Sequence, residues 1–287
     1  MFSHFSGYHS FLPALFSKLF KIPHYIVLNG TECNNFPEIH YGYLGHPLLF
    51  WFSKKSLQWS TRLFPVSKSL VSAEYAYTNT NFSSQGYMHF YKNILTPHTV
   101  IHNGISPHLF VIDPGIKKVE CSFITVAAGL DHGKRRILKG LDLIVELAKL
   151  TPEYHFTFIG GKKPLDLDLP ANITLMDFIP HDQLSPIYNK HQFYLQLSVS
   201  EGFGISVCEA MLCGCVPIVS NVGILPDLAG EHGYVLSEKN VEKLLSIVRR
   251  AISEYNHENT LDYRKHVMEN FSMKLREEKL LEALATE

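Results

Sequence analysis

Glu201 and Glu209 stand eight positions apart in the stretch VSEGFGISVCEAMLCGCVPIVS (199–220), with Gly202 and Gly204 just inside the first. Residues 192–199 read as a strand and 204–212 as a helix, so the two glycines fall in the turn between them. In a parallel sheet, ligands bind beyond the carboxyl ends of the strands. A helix start there offers unpaired backbone N–H groups and the positive end of the helix dipole, which favour phosphate. Glycine lets the main chain approach an anion with no Cβ in the way. The turn therefore suits a diphosphate. Carboxylates would repel that group, but they accept hydrogen bonds from hydroxyls, so sugars are their natural targets. Glu201, at the end of its strand and at the sheet edge, and Glu209, more than one turn into the helix, are expected to reach one cleft from different heights. A nucleotide-sugar has hydroxyls on both sides of a diphosphate. A bare Gly-x-Gly is a weak signal, and a plain strand terminus is the alternative reading of the same residues.

The elements that must position these residues are legible as alternating patterns. Residues 11–20 have helical apolar spacing, 24–28 form a short apolar run that reads as the first strand, and 34–45 read as a loop. Helical spacing returns over 48–63, a short strand follows at 62–67, a helix from Lys68 onward, and a strand over 99–105. The Pro, Gly and mixed charges of 107–118 mark a linker. Beyond it, strands at 122–128, 154–159, 173–179, 192–199 and 216–220 alternate with helices at 139–150, 204–212, 240–255 and 263–284, and Ser185-Pro186 reads as a helix start with Ser as cap. This is an α/β pattern with parallel sheets, in two Rossmann-like domains, 1–110 and 111–287.

Of the 287 residues, 46% are hydrophobic and 18% charged, which describes a globular chain. The net charge of −1 leaves no basic surplus for general nucleic-acid binding. The sixteen histidines are scattered, without HExxH spacing, and Asp166-Leu-Asp168 sits in a Pro-flanked loop, so no metal is expected. Five cysteines, an odd number with no leader pattern before them, point to reduced thiols in the cytoplasm. Cys208, Cys213 and Cys215 lack partners at metal-ligand spacing and read as packing thiols. Two aromatic stretches with lysines, 11–20 with Lys18 and Lys21 and 41–52 leading to Lys54-Lys55, leave two readings open: buried helices, or contact with a membrane interface.

As a set these motifs resemble the family 4 retaining glycosyltransferases of GT-B fold (glycosyl transferases group 1). Glu201 to Glu209 looks like that family's glutamate–seven residues–glutamate motif. Leu197-Ser-Val-Ser precedes it with Leu197 in place of Pro. Ala210-Met211, Gly214-x-x-Pro217, Gly223-Ile-Leu-Pro-Asp227, Lys139-Gly140, Val66-Ser-Lys-Ser and Val100-Ile-His-Asn-Gly resemble further family segments. The resemblance implies a retaining glycosyltransferase acting in cell-surface polysaccharide or glycolipid synthesis on the cytoplasmic face. It assigns the transferred sugar's hydroxyls to Glu201 and the nucleotide ribose to Glu209. Gly202, the amides around Phe203 and Gly204, and the Lys139 ammonium would meet the diphosphate. It implies a nucleotide-sugar donor, a glycan or lipid-linked acceptor, no metal and no cofactor.

The sequence departs from the family in three further places. Ala128-Gly129-Leu130 stands where the family has Gly-Arg-Leu, and Lys134, Arg135 or Arg136 in the following loop could replace that Arg, with Arg135 taken as the candidate. Asn29-Gly-Thr-Glu32 lacks the family's His. The opening βα units have no counterpart, so the N-terminal domain reads as incomplete and its sheet edge as exposed. A partner chain completing the site, or a relic that binds without turnover, is the alternative function. A dinucleotide oxidoreductase ranks below both, because Val207 replaces the third glycine of its fingerprint and the motif comes late in its domain.

Overall fold

The computed structural model describes residues 1–161 and 169–285. The chain divides into two compact units. The first comprises Met1–Asn103, Ser200–Phe203 and Lys274–Glu287, and the second comprises Gly104–Val199 and Gly204–Met273.

In the first unit, β1 (Phe2–His4), α1 (Tyr8–Phe20), β2 (Tyr25–Leu28), α2 (Pro47–Trp59) and β3 (Arg62–Pro65) form a parallel three-stranded sheet, order β1-β2-β3, with its crossover helices. The sequence pattern places the first strand at 24–28, but Phe2–His4 precedes it. Three residues carry no readable period, and β1 is fixed by its pairing, Phe2 to Tyr25 and His4 to Val27. The helix expected from Lys68 onward is a single 3-10 turn, Lys68–Leu70. A hairpin of β4 (Ala73–Glu74) and β5 (Ser84–Gln85) and the short α3 (Tyr87–Phe90) follow. The strand expected over 99–105 is an extended segment with isolated bridges at its two ends, His98 to Leu63 and Ile105 to Ser272. It runs along β3 through Thr99 N–H to Leu63 O and Ile101 N–H to Pro65 O, but Pro65 and Pro97 supply no N–H to complete a ladder.

In the second unit the elements are β6 (Val119–Val126), α4 (Gly133–Leu138), α5 (Leu141–Leu150), β7 (His155–Ile159), β8 (Ile173–Met176), α6 (Ser185–Asn189), β9 (His191–Gln196), α7 (Ile205–Leu212), β10 (Val216–Ser220), α8 (Leu225–Ala229), β11 (Tyr234–Leu236), α9 (Val241–Glu254) and α10 (Thr260–Asn270). The six strands pair in parallel in the order β11-β10-β9-β6-β7-β8. Numbered within the unit, this is 6-5-4-1-2-3, the dinucleotide-fold order. Phe123 on β6 stacks between Phe156 of β7 and Phe193 of β9, with ring centroids 5.1 and 5.0 Å away. Strand β10 is buried along its whole length and β9 at every residue but Gln192, because helices cover both faces of a parallel sheet.

Four expectations are corrected here. Two helices, α4 and α5, stand where the sequence reads a loop and then one helix over 139–150; α5 begins only at Leu141, and Lys139-Gly140 separates it from α4. The charged helix over 263–284 is likewise two, α10 and α11 (Met273–Ala285). Ser185 is the first helical residue of α6 and not its cap; its hydroxyl lies 3.5 Å from Cys213 Sγ. The strand before Glu201, β9, is not at the sheet edge but between β10 and β6. From Lys274 onward α11 groups with the first unit, where Arg276 Nη1 donates to His102 O and Asn103 Oδ1, each at 2.8 Å.

Candidate functional site

The strand order reverses between β6 and β9, and their carboxyl ends are where such a sheet binds ligands. A buried polar network ties the two ends together. The Tyr194 hydroxyl lies 3.0 Å from Gln196 Oε1 and 2.8 Å from Ser206 Oγ, and Gln196 Nε2 donates to Ser198 Oγ at 2.8 Å. Thr125 Oγ1 donates across to Leu195 O.

The α4–α5 joint is sewn to the same place. Val199 N–H donates to Leu138 O at 2.8 Å. Gly140, at φ +72°, packs so closely that a Cβ would lie 2.0 Å from Leu197 O. Lys139 sits at this joint as the half-buried C-cap of α4. Of the three basic candidates in the preceding loop, Arg135 folds back over the turn after β6. Its Nη1 donates to Ala128 O at 3.0 Å, and its Cδ lies 3.0 Å from where a Cβ on Gly129 would be. Arg136 instead reaches Leu130 O and Asp131 O, and Lys134 is exposed.

Gly204 caps the start of α7 at φ +97°, in the left-handed region that favours glycine. More than one turn along, Glu209 is buried. His181 Nε2 lies 2.6 Å from its Oε1, and the Tyr188 hydroxyl donates to its Oε2 at 3.2 Å. Burial pushes the Tyr188 phenol far above its ordinary range, so its hydroxyl stays a neutral donor. The Phe110 ring meets His181 edge-on at 5.0 Å. Sequence reasoning identifies Glu209 but neither His181 nor Tyr188. They come from the connection between β8 and β9, and no spacing in the sequence links them to Glu209.

The other half of the motif, Ser200–Phe203, groups with the first unit. Gly202 packs back to back with the loop after β2, where a Cβ on Gly202 would lie 1.7 Å from Asn29 O. Asn34 Nδ2 donates to Ser200 Oγ at 3.0 Å. Glu201 is half-buried, and its charge, after burial, helps raise the Tyr41 phenol. Phe203 is buried 6.0 Å from the His102 ring, and His102 Nδ1 is held by Val66 O. Glu32, in the place of the family motif that lacks its His, accepts the Asn29 amide at 2.8 Å and the Gly30 amide at 3.2 Å. Burial raises its pKa to about 7.

Among the described residues no three His, Cys, Asp or Glu side chains group as metal ligands. Asp166-Leu-Asp168 lies outside the described residues. Cys33, Cys208, Cys213 and Cys215 are buried thiols.

The structure thus sets a buried carboxylate, Glu209, in the helix that follows a central strand of a Rossmann sheet. Residues 132–267 match the family model described as glycosyl transferases group 1. That span holds Arg135, Lys139, Glu201 and Glu209. A phosphatidylinositol N-acetylglucosaminyltransferase subunit from Arabidopsis thaliana is 24% identical over 175 residues, 54% of this chain and 39% of the relative. The chain thus covers about four tenths of that relative's length. Among solved structures, sucrose-phosphate synthase from Thermosynechococcus elongatus superposes with a TM-score of 0.74 at 16% identity, covering 99% of this chain and 72% of that one. HepE from Anabaena in complex with UDP-glucose gives 0.71 at 13% identity, covering 97% and 76%. The fold is that of these GT-B glycosyltransferase structures: α/β, with parallel Rossmann-like sheets.

Proposed function

We propose that this chain transfers a sugar from a nucleotide-sugar to a glycan or lipid-linked acceptor with retention of configuration. The observation that carries the reading is Glu209. It is a buried carboxylate with two side-chain donors already on it, in the helix after a central strand of a Rossmann sheet. Its role is to accept the ribose hydroxyls. Glu201 accepts the hydroxyls of the transferred sugar. The amides at Phe203 and Gly204, with Lys139 and Arg135, receive the charge that builds on the diphosphate as the C1–oxygen bond breaks. The acceptor oxygen bonds to C1 on the same face, and its proton passes to the departing phosphate. The same reading places the chain in glycolipid or surface-polysaccharide synthesis, without a metal. The Arabidopsis relative, which is named for transfer to phosphatidylinositol, supports that acceptor class. The same relative is named as one subunit of its enzyme, which favours a second reading: a nucleotide-sugar-binding chain that works with a partner chain.

Calorimetric titration with UDP, UDP-glucose, UDP-N-acetylglucosamine and GDP-mannose tests the donor site, on the wild type and Glu209→Ala. One nucleotide-sugar should bind, and the variant should lose about tenfold or more, the worth of one charge-assisted contact. No binding by any of them withdraws the donor reading. Binding without transfer to any lipid or glycan acceptor selects the second reading, and the anomer of a transferred product, read by NMR, decides retention.

A further inference from the structure

The two crossover helices of the first unit, α1 and α2, are built inside out. The face of α1 that packs inward is Ser10, Ala14 and Ser17, and that of α2 is Ser53, Ser56 and Leu57. Ser10 Oγ donates to Ser56 Oγ at 2.9 Å, and Ser6 bonds Ser53. Many of the large apolar side chains point outward instead. Leu12 is 58% exposed, Leu19 63% and Leu48 63%, and Phe16, Phe20 and Trp51 are exposed beside them. A water-soluble surface seldom gathers so many large apolar groups on adjacent helices, and such a patch marks an interaction site.

Charge states which surface it fits. Neither helix contains an acidic residue. Residues 1–73 hold six Lys and Arg against two glutamates, in a chain of net charge −1. Of those two, Glu32 is buried and Glu38 is occupied by the Thr80 hydroxyl and the Asn81 amide. Where α1 and α2 end, Lys18 lies over the Trp59 ring at 4.5 Å and Lys55 at 5.5 Å. A groove of about 410 Å³ opens there, lined by Lys18, Lys21, Ile22 and Trp59. Exposed leucines and aromatics rimmed by lysines are the composition of a helix lying in the headgroup region of an anionic bilayer. The apolar side chains enter the acyl boundary while the lysine stems run along it and keep their charges among the phosphates. Among the described residues no helix is long and apolar enough to cross a membrane.

We infer that the outer face of α1 and α2 seats this chain on an anionic lipid surface. The assignment is independent of the donor reading, because it concerns neither glutamate nor the second unit. The test is co-sedimentation of the full chain with vesicles of phosphatidylcholine alone, and with roughly three-tenths phosphatidylglycerol added, at low and raised salt. The expected result is binding to the anionic vesicles only, weakened by salt. Leu12→Ser/Leu19→Ser/Leu48→Ser changes only exposed side chains; with an unchanged circular dichroism spectrum it should bind about tenfold less or weaker. Lys21→Gln and Lys54→Gln keep the apolar face and should each cost about fivefold. A wild type that stays in the supernatant with both vesicles overturns the inference, and so does a serine variant that binds like the wild type. A concentration-dependent dimer that the serine variant abolishes, without vesicle binding, also overturns it and gives the face to a second copy of the chain.

Discussion

His181 Nε2 and Glu209 Oε1 are 2.6 Å apart, while the other oxygen of the same buried carboxylate takes the Tyr188 hydroxyl at 3.2 Å. The two donors are not equivalent. The His181 side chain is 59% exposed, so water can take its place when it is removed. Tyr188 is fully buried and nothing replaces it. Tyr188→Phe should therefore cost about 1–3 kcal/mol of stability, the penalty of a buried acceptor left short of a donor. His181→Ala should stay within about 0.5 kcal/mol. Urea melts of both variants check this, and an equal loss in the two would show that Glu209 depends on His181 as much as on Tyr188.

The glycines of the motif rank by what surrounds them. Gly202→Ala would drive a Cβ to 1.7 Å from Asn29 O, a backbone atom that cannot swing away. The expected loss is about 3 kcal/mol or more. Gly204→Ala meets the movable end of Leu225 at 2.9 Å and mainly strains a φ of +97°, for about 1–2 kcal/mol. Gly45 has nothing within 4 Å of a Cβ, and its alanine variant is the neutral control. Thermal melts of the three should fall in that order; a Gly204→Ala worse than Gly202→Ala would contradict the packing at Asn29.

What the sequence shows and what it hides follow from the range of the forces. The strands of the second unit are legible because a parallel sheet covered on both faces demands continuous apolar runs, and 216–220 reads at its observed bounds for that reason. Glu201 and Glu209 are legible because one strand–turn–helix carries both. The break between α4 and α5 is not, because Gly140 is required by Leu197, a contact 57 residues away that no local pattern records. Strand β9 reads as an edge because its central place depends on where the chain returns after β8. His181 and Tyr188 reach Glu209 only through that same return. The three residues of β1 are strand by virtue of their partners in β2 alone.

Thiol reactivity separates Cys121 from the rest. Cys33, Cys208, Cys213 and Cys215 are buried, and burial raises every one of these thiols, Cys213 to about 12. A thiolate is the reactive form, so these four should be inert in the folded chain. Cys121, half-buried beside the bulge of β6, should react first although burial raises it too. Mass spectrometry after a short alkylation pulse should find one modified site at most, with all five modified in denaturant. Native labelling of Cys208 or Cys213 would show that α7 opens.

The pH dependence of stability carries two opposing contributions in nearly one window. Burial raises Glu32 from 4.5 to about 7, against the amides of Asn29 and Gly30, which pull it down. Between those values the folded chain holds a proton that the unfolded chain has released, so stability falls as pH rises and is flat above about 7. His24, between the hydroxyls of Ser3 and Ser60, is lowered by burial from 6.5 to about 4, and His191 likewise. For both histidines the unfolded chain binds the proton first, so stability rises with pH across that range. The wild-type profile therefore blends the two signs. Glu32→Gln removes one of them and keeps the buried shape. Its stability relative to wild type should grow from pH 5 to pH 7, by about 3 kcal/mol at most, and hold constant to pH 8. Urea melts at each pH measure the difference. A difference that stays constant from pH 5 to pH 8 would mean that Glu32 ionises at an ordinary carboxylate pKa, with water reaching the loop after β2.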